Sequence, residues 1–147
     1  MKRFFMIALL LLVQPAEAGR IIMARSVLPF PEAMLVLQES IAAHGYTVSR
    51  VQRIDVGLTA KGYKTDLYRI VFAGKIDEIR MMTKLAPQLI PYLPPKISIF
   101  AEEGQTILVT VSPDVYAEIA GDVIDPLIFK RWDSDLHSIL HDVTEAR

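Results

Sequence analysis

The chain of 147 residues contains no cysteine. Without thiols it can form no disulfide, bind no metal through thiolates and use no cysteine nucleophile. Covalent attachment of haem through a Cys-x-x-Cys-His motif is excluded for the same reason, as is lipid attachment to an N-terminal cysteine. The protein must therefore be stabilised by the packing of its core.

The chain also lacks an excess of charge of either sign. It has 16 basic and 17 acidic side chains, which gives a formal net charge of −1. A nucleic-acid-binding protein normally carries a basic stripe, and a membrane-surface protein a polybasic patch. We therefore expect no nucleic-acid partner and no electrostatic attachment to a membrane.

Long apolar runs are absent except at the start of the chain. The run from Phe4 to Val13 follows Lys2 and Arg3 and precedes the small-x-small sequence of residues 16–18 (Ala-Glu-Ala). This order is typical of a secretory signal peptide cleaved after Ala18. Ten apolar residues are too few to span a bilayer, which takes about 20. We expect an exported protein, in the bacterial periplasm, that is soluble and has no membrane anchor after cleavage.

Removal of residues 1–18 leaves a mature chain, residues 19–147, with the length of one domain. Its apolar spacing predicts the order β-α-β-β-α-β-β-α, with a short additional helix before the last one. Such an order indicates a two-layer α+β domain, in which a largely antiparallel five-stranded sheet carries helices on one face. The predicted strands are residues 20–27, 46–56, 65–73, 97–101 and 107–111, and the predicted helices are residues 31–44, a segment after Gly74, 113–120 and 125–141.

The second predicted strand has an irregular alternation of apolar residues. The pattern slips between Val48 and Val51, which a β-bulge would explain. Without a bulge, Arg50 and Gln52 would point inward and form a polar pocket. The third predicted strand is apolar on both faces, which indicates a central position in the sheet.

Three stretches of the chain resemble members of the Domain of Unknown Function 302 family. They are LVLQESIAAHGYTV (35–48), YRIVFAGKIDEIR (68–80) and LIPYLPPKISIFAEEGQTILVTVSP (89–113). The resemblance extends from Val27 to Pro113 and more loosely over residues 132–140. It implies a compact α+β fold without a settled activity, and the predicted signal peptide would make this chain an exported member of the family. Many members have a cysteine after the leucine-proline pair, whereas this chain has Pro95, so no role of that thiol can be transferred.

One row of candidate metal ligands lies on the last predicted helix. Asp133, His137, His141 and Glu145 are spaced by four residues and therefore lie along one side of the helix. Two histidines at positions i and i+4 can reach the same metal ion, and the carboxylates can add ligands or orient the imidazoles. The same row is equally compatible with an ordinary solvated flank of the helix. The zinc-protease motif is absent, because no glutamate follows the first histidine.

A second candidate site is the segment between the second and third predicted strands. Residues 57–64 contain two glycines together with Lys61 and Lys64, and Arg53 and Arg69 lie on the adjoining strands. Backbone N–H groups and four cations could bind an anionic ligand here. An ordinary connection with solvated lysines fits the same residues.

The sequence contains no nucleophile elbow, catalytic carboxylate pair or dinucleotide fingerprint. We therefore favour a non-enzymatic ligand-binding or accessory protein, which forms a homodimer through a sheet edge or the last helix. The first alternative is a protein that binds a metal or non-covalent haem through His137 and His141. The second is an enzyme acting on a small molecule through Lys61 and Lys64.

Overall fold

The computed structural model describes residues 19–147, and the predicted signal peptide lies outside the described residues. The strands are β1 (Ile21–Ser26), β2 (Thr47–Arg53), β3 (Tyr68–Gly74), β4 (Lys96–Glu102) and β5 (Gln105–Val111). The helices are α1 (Phe30–Ala43), α2 (Ile54–Thr59), α3 (Ile76–Leu85), α4 (Pro113–Ala120) and α5 (Pro126–Glu145), with 3₁₀ turns at Pro87–Tyr92 and Gly121–Val123.

The five strands form one antiparallel sheet in the order β1-β5-β4-β3-β2. This confirms the predicted α+β fold class. The central strand is β4, whereas β1 and β2 are the edges. Strand β3, which was predicted to be central, lies between β2 and β4, so it is an internal strand but not the middle one.

Helices α1 and α5 pack against each other and against the sheet. Helix α5 buries one apolar stripe, and Asp125 caps the helix by accepting a hydrogen bond of 2.9 Å from the N–H of Leu127. The buried side chains of α5 are Phe129, Trp132, Leu136, Ile139, Leu140 and Val143. The packing of this stripe on the sheet provides the centre of the core.

The predicted β-bulge is present, because the register of β2 against β3 shifts between Val48 and Arg50. Val48 and Val51 both pack against the core beneath the helices. Arg50 and Gln52 therefore point to the opposite side of the sheet. The alternative inward orientation of Arg50 and Gln52 was wrong.

The segment after β2 differs from the prediction. The strand ends at Arg53 rather than Val56, and residues 54–59 form the short helix α2 instead of the end of a strand and a loop. Asp55 lies in the first turn of α2, where a carboxylate stabilises a helix, and it is held there by an ion pair with Arg69. A pairing between residues 14 positions apart has no local signature in the sequence.

Other boundaries shift by a few residues. Strand β3 begins at Tyr68, three residues later than predicted, and α5 continues to Glu145, beyond the predicted end at His141. Within residues 19–147, every helix is too short or too polar to cross a membrane.

Side-chain hydrogen bonds join α5 to several neighbouring segments, among them the following two. The Tyr46 hydroxyl, just before β2, donates to a carboxylate oxygen of Asp135 at 2.8 Å, and the Trp132 indole donates to Glu78 of α3 at 2.8 Å. Burial, helped by the bond to Asp135, raises the pKa of Tyr46 well above its usual range. Burial alone raises the pKa of Tyr116 to about 12.

These two tyrosines make the stability of the fold sensitive to alkali. Folding raises the pKa of both tyrosines above the value of about 10 that they have in the unfolded chain. Their contribution to the free energy of unfolding is therefore complete below about pH 10 and is lost as the pH rises further. We predict that the free energy of unfolding, measured with guanidinium chloride, falls steadily from pH 10 to pH 12. Tyr46→Phe should make this fall shallower and should cost about 1 kcal/mol at pH 8 through the lost hydrogen bond.

The exposed Tyr63 provides a matched control, since the same substitution there should change stability at pH 8 by less than about 0.5 kcal/mol. Unchanged stability between pH 10 and pH 12 would contradict the prediction.

Candidate functional site

The two long helices cover one face of the sheet, and we call the opposite side the outer face. The strand register shows which residues lie on this outer face. Val71, Ile99 and Leu108 point into the core, so their neighbours along each strand point away from it. The outer face consists of Ile21, Met23 and Arg25 on β1, Ile107, Val109 and Val111 on β5, Lys96, Ser98, Phe100 and Glu102 on β4, Tyr68, Ile70 and Phe72 on β3, and Arg50 and Gln52 on β2.

The middle of the outer face is apolar. Ile21 and Met23 are 59% and 65% exposed, and Tyr68 and Phe100 pack edge to face with ring centroids 5.9 Å apart. Ile107 lies outside the core cluster yet is only 3% exposed, between its outer-face neighbours on β1 and β4. An antiparallel sheet with one solvated face normally carries polar side chains there. The outer face departs from that pattern, because its side chains between the charged ends are apolar on β1, β5 and β3, with Ser98 of β4 as a polar residue among them.

The charged residues of the outer face lie at its two ends. Lys96 begins the central strand and Glu102 ends it, and Arg50 lies at the Lys96 end because both pair with Phe72. At the other end, Arg25 contacts Glu102 with an N–O distance of 3.3 Å. The face therefore has a basic end with Lys96 and Arg50, and an opposite end at which Glu102 is paired with Arg25.

An open groove of about 470 Å³ lies at the Glu102 end. Its lining includes the carboxylates of Asp66 and Glu102 and the aromatic rings of Tyr68 and Phe100. Carboxylates and aromatic faces both attract a cation. This groove therefore suits an ammonium or guanidinium group, which is the type of group found at the opposite end of the same face.

The four residues predicted to bind an anionic ligand are divided by the structure. Arg53 and Arg69 pair across β2 and β3, and Arg69 forms an ion pair with Asp55 in which both side chains are 13% exposed. Hydrogen bonding from Arg69 lowers the pKa of Asp55. Lys61 and Lys64 are exposed on the connection after α2. Arg69 is thus engaged by a carboxylate, and anion binding at this segment stays a prediction.

The four predicted metal ligands all lie on α5. The imidazole Nδ1 of His137 is 2.9 Å from the carbonyl oxygen of Asp133 and 3.5 Å from its carboxylate. His141 and Glu145 are exposed further along the helix. No group of three histidine or carboxylate side chains within residues 19–147 is arranged to hold a metal ion. Metal or haem binding by His137 and His141 stays a prediction that would need ligands from elsewhere.

The sequence-based search missed the outer face altogether. The sequence predicted a strand over residues 107–111 but did not assign which of its sides is buried. In the structure, Leu108 points to the helices, and Ile107, Val109 and Val111 lie on the outer face. The signal that could have found this surface was the presence of apolar residues on both sides of β5.

The metal hypothesis can be tested on the purified protein. If the α5 row holds a divalent ion, added zinc or copper should raise the melting temperature, and His137→Ala with His141→Ala should remove that shift. A matched pair of substitutions at Ser134 and Ser138, also exposed on α5, should preserve it. A melting temperature that stays the same when zinc, copper or haem is added would refute the hypothesis.

One solved structure is similar to the chain over most of its length. It is the crystal structure of the uncharacterized conserved protein DUF302 from Bacillus stearothermophilus, with a TM-score of 0.75 and 18% sequence identity. The alignment covers 86% of this chain and 99% of the other chain, and at this identity it shows a shared fold. No curated protein matches the chain at a significant level. The family described as domain of unknown function DUF302 matches residues 22–143, so the chain belongs to the DUF302 family.

Proposed function

We propose that this protein is an exported, non-enzymatic accessory protein that acts by binding a partner through the outer face of its sheet. Export is supported by the signal-peptide pattern of residues 1–18. The observation that carries the binding proposal is the apolar outer face, which none of the long helices covers.

The size of the outer face suits contact with a macromolecule. Five strands spaced by about 4.8 Å and seven residues of about 3.3 Å each give a footprint of roughly 550 Å². Exposed apolar patches larger than a few hundred Å² usually mark interaction sites. An apolar centre with charged residues at its margins is also the usual composition of a protein interface.

The shape of the surface favours binding another surface over enclosing a small molecule. Small-molecule sites are concave and commonly measure about 300–1,000 Å³. The groove of about 470 Å³ at the Glu102 end is open to solvent, and the apolar cavity lined by Tyr46 and Trp132 measures about 20 Å³. That cavity has room for about one water molecule.

The proposal predicts that the outer face is occupied in the cell. A photo-crosslinking amino acid in place of Val109, near the middle of this face, should give a discrete covalent adduct after irradiation of intact cells. The same amino acid in place of Ser134, exposed on α5, is the matched control and should give none.

The readout is the mass of the adduct on a denaturing gel and by mass spectrometry, with circular dichroism to verify that both variants are folded. Equal crosslinking from both positions, or none from Val109 or from the nearby Met23, would refute the proposal.

A further inference from the structure

We infer that the partner of the outer face is a second copy of this chain, packed sheet to sheet about a two-fold axis with its β4 antiparallel to the first β4. This inference rests on the proposed function of the outer face and names its partner. The resulting dimer would have four layers, helices-sheet-sheet-helices.

The central strand carries the argument. In the order β1-β5-β4-β3-β2, β4 is the third of five strands, and its two end residues are Lys96 and Glu102. Both side chains are on the outer face, on opposite sides of Ile99 and the same number of residues from it. The two opposite charges are therefore about 20 Å apart and symmetric about the middle of the sheet.

Two-fold symmetry between stacked sheets allows two aligned arrangements. An axis that runs along the strands places Lys96 against the partner's Lys96. An axis that runs across the strands reverses β4 and places Lys96 against the partner's Glu102, twice in each dimer. Because like charges in contact are unfavourable and opposite charges attract, the electrostatics of the outer face select the second arrangement.

The groove at the Glu102 end fits this arrangement. The ammonium of Lys96 would enter the partner's groove and share Glu102 with its Arg25. Asp66 supplies further negative charge there, and Tyr68 and Phe100 supply aromatic surface. The same contact recurs at the other end of the dimer, as a two-fold interface requires. Apolar residues of the two faces meet between these ends.

The area is sufficient for a dimer. A footprint of roughly 550 Å² on each copy gives about 1,100 Å² in total, above the threshold of about 1,000 Å² for a specific interface. Stacked sheets pack about 10 Å apart, and long apolar side chains such as Met23 and Phe72 can fill the space between them.

The other surfaces expected for a dimer are less suitable. Beyond the exposed Leu127 in its first turn, the exposed residues of α5 are polar, among them Ser134, His137, Ser138 and His141, so most of the last helix offers no apolar contact. The β-bulge between Val48 and Arg50 interrupts the edge strand β2, and bulges hinder pairing with a further strand. We therefore place the interface on the outer face rather than on the last helix or on the β2 edge.

Charge reversal at the two ends of β4 tests the arrangement. Sedimentation and light scattering of the purified protein should give the mass of two chains at micromolar concentration. Lys96→Glu alone should place two glutamates opposite each other, and Glu102→Lys alone two lysines. Each variant should raise the dimer dissociation constant by at least about tenfold.

An equimolar mixture of Lys96→Glu and Glu102→Lys should restore the dimer. In that heterodimer, one contact joins the two mutated residues with reversed charges and the other joins the two native residues, so both contacts are attractive. As a matched control, Lys130→Glu on α5 and Glu39→Lys on α1 are exposed charge reversals on the helical side, and neither should affect association.

Three results would overturn the inference. The first is a wild-type protein that remains a monomer at 100 µM. The second is a mixture of the two variants that stays monomeric, and the third is a dimer between wild type and Lys96→Glu that is stronger than either homodimer, which would indicate the axis along the strands.

The photo-crosslink from Val109 separates this inference from the proposed function. An adduct with twice the mass of the chain supports both. An adduct with a different protein supports the proposed function but contradicts the inference that the partner is a second copy of this chain. The absence of any adduct contradicts both the proposed function and the inference.

Discussion

The packing of α5 against one face of the sheet is the interaction on which the rest of the structure depends. Phe129 and Trp132 pack edge to face with ring centroids 5.7 Å apart, and Trp132 also bonds to Glu78 of α3. Together with α1, this helix fills one side of the sheet. Residues 19–147 contain no third long helix to cover the other side of the sheet. The inward or outward orientation of the strand residues therefore follows from the position of α5.

Strand β5 shows how far the sequence could predict this arrangement. The alternation of Ile107, Val109 and Val111 was recognised, but these side chains are on the outer face, whereas Thr106 and Thr110 point inward and are buried. Their hydroxyl groups donate to the carbonyl oxygens of Leu28 and Lys96 at 2.8 Å each. A buried hydroxyl with a partner costs little, so polarity alone does not reveal which face of a strand is inside.

The candidate sites also differ in how far the sequence could predict them. The α5 row and its apolar stripe were predictable because helical spacing is a local property of the sequence. The outer face required the strand order, which depends on contacts between distant residues, and Lys96 and Glu102 become a symmetric pair only when β4 is known to be central. The helix α2 was missed for the same reason, since it depends on Asp55 meeting Arg69.

The absence of cysteine and the apolar outer face are connected through the size of the core. Disulfides commonly stabilise small domains whose single core is insufficient, and this chain has no cysteine with which to form one. Two stacked sheets would provide a second apolar layer in which Ile107, Val109 and Phe72 are removed from water by the other copy. Part of the stability of each copy would then come from association, which links folding to protein concentration. On this view the outer face serves both as a binding surface and as the second half of the core.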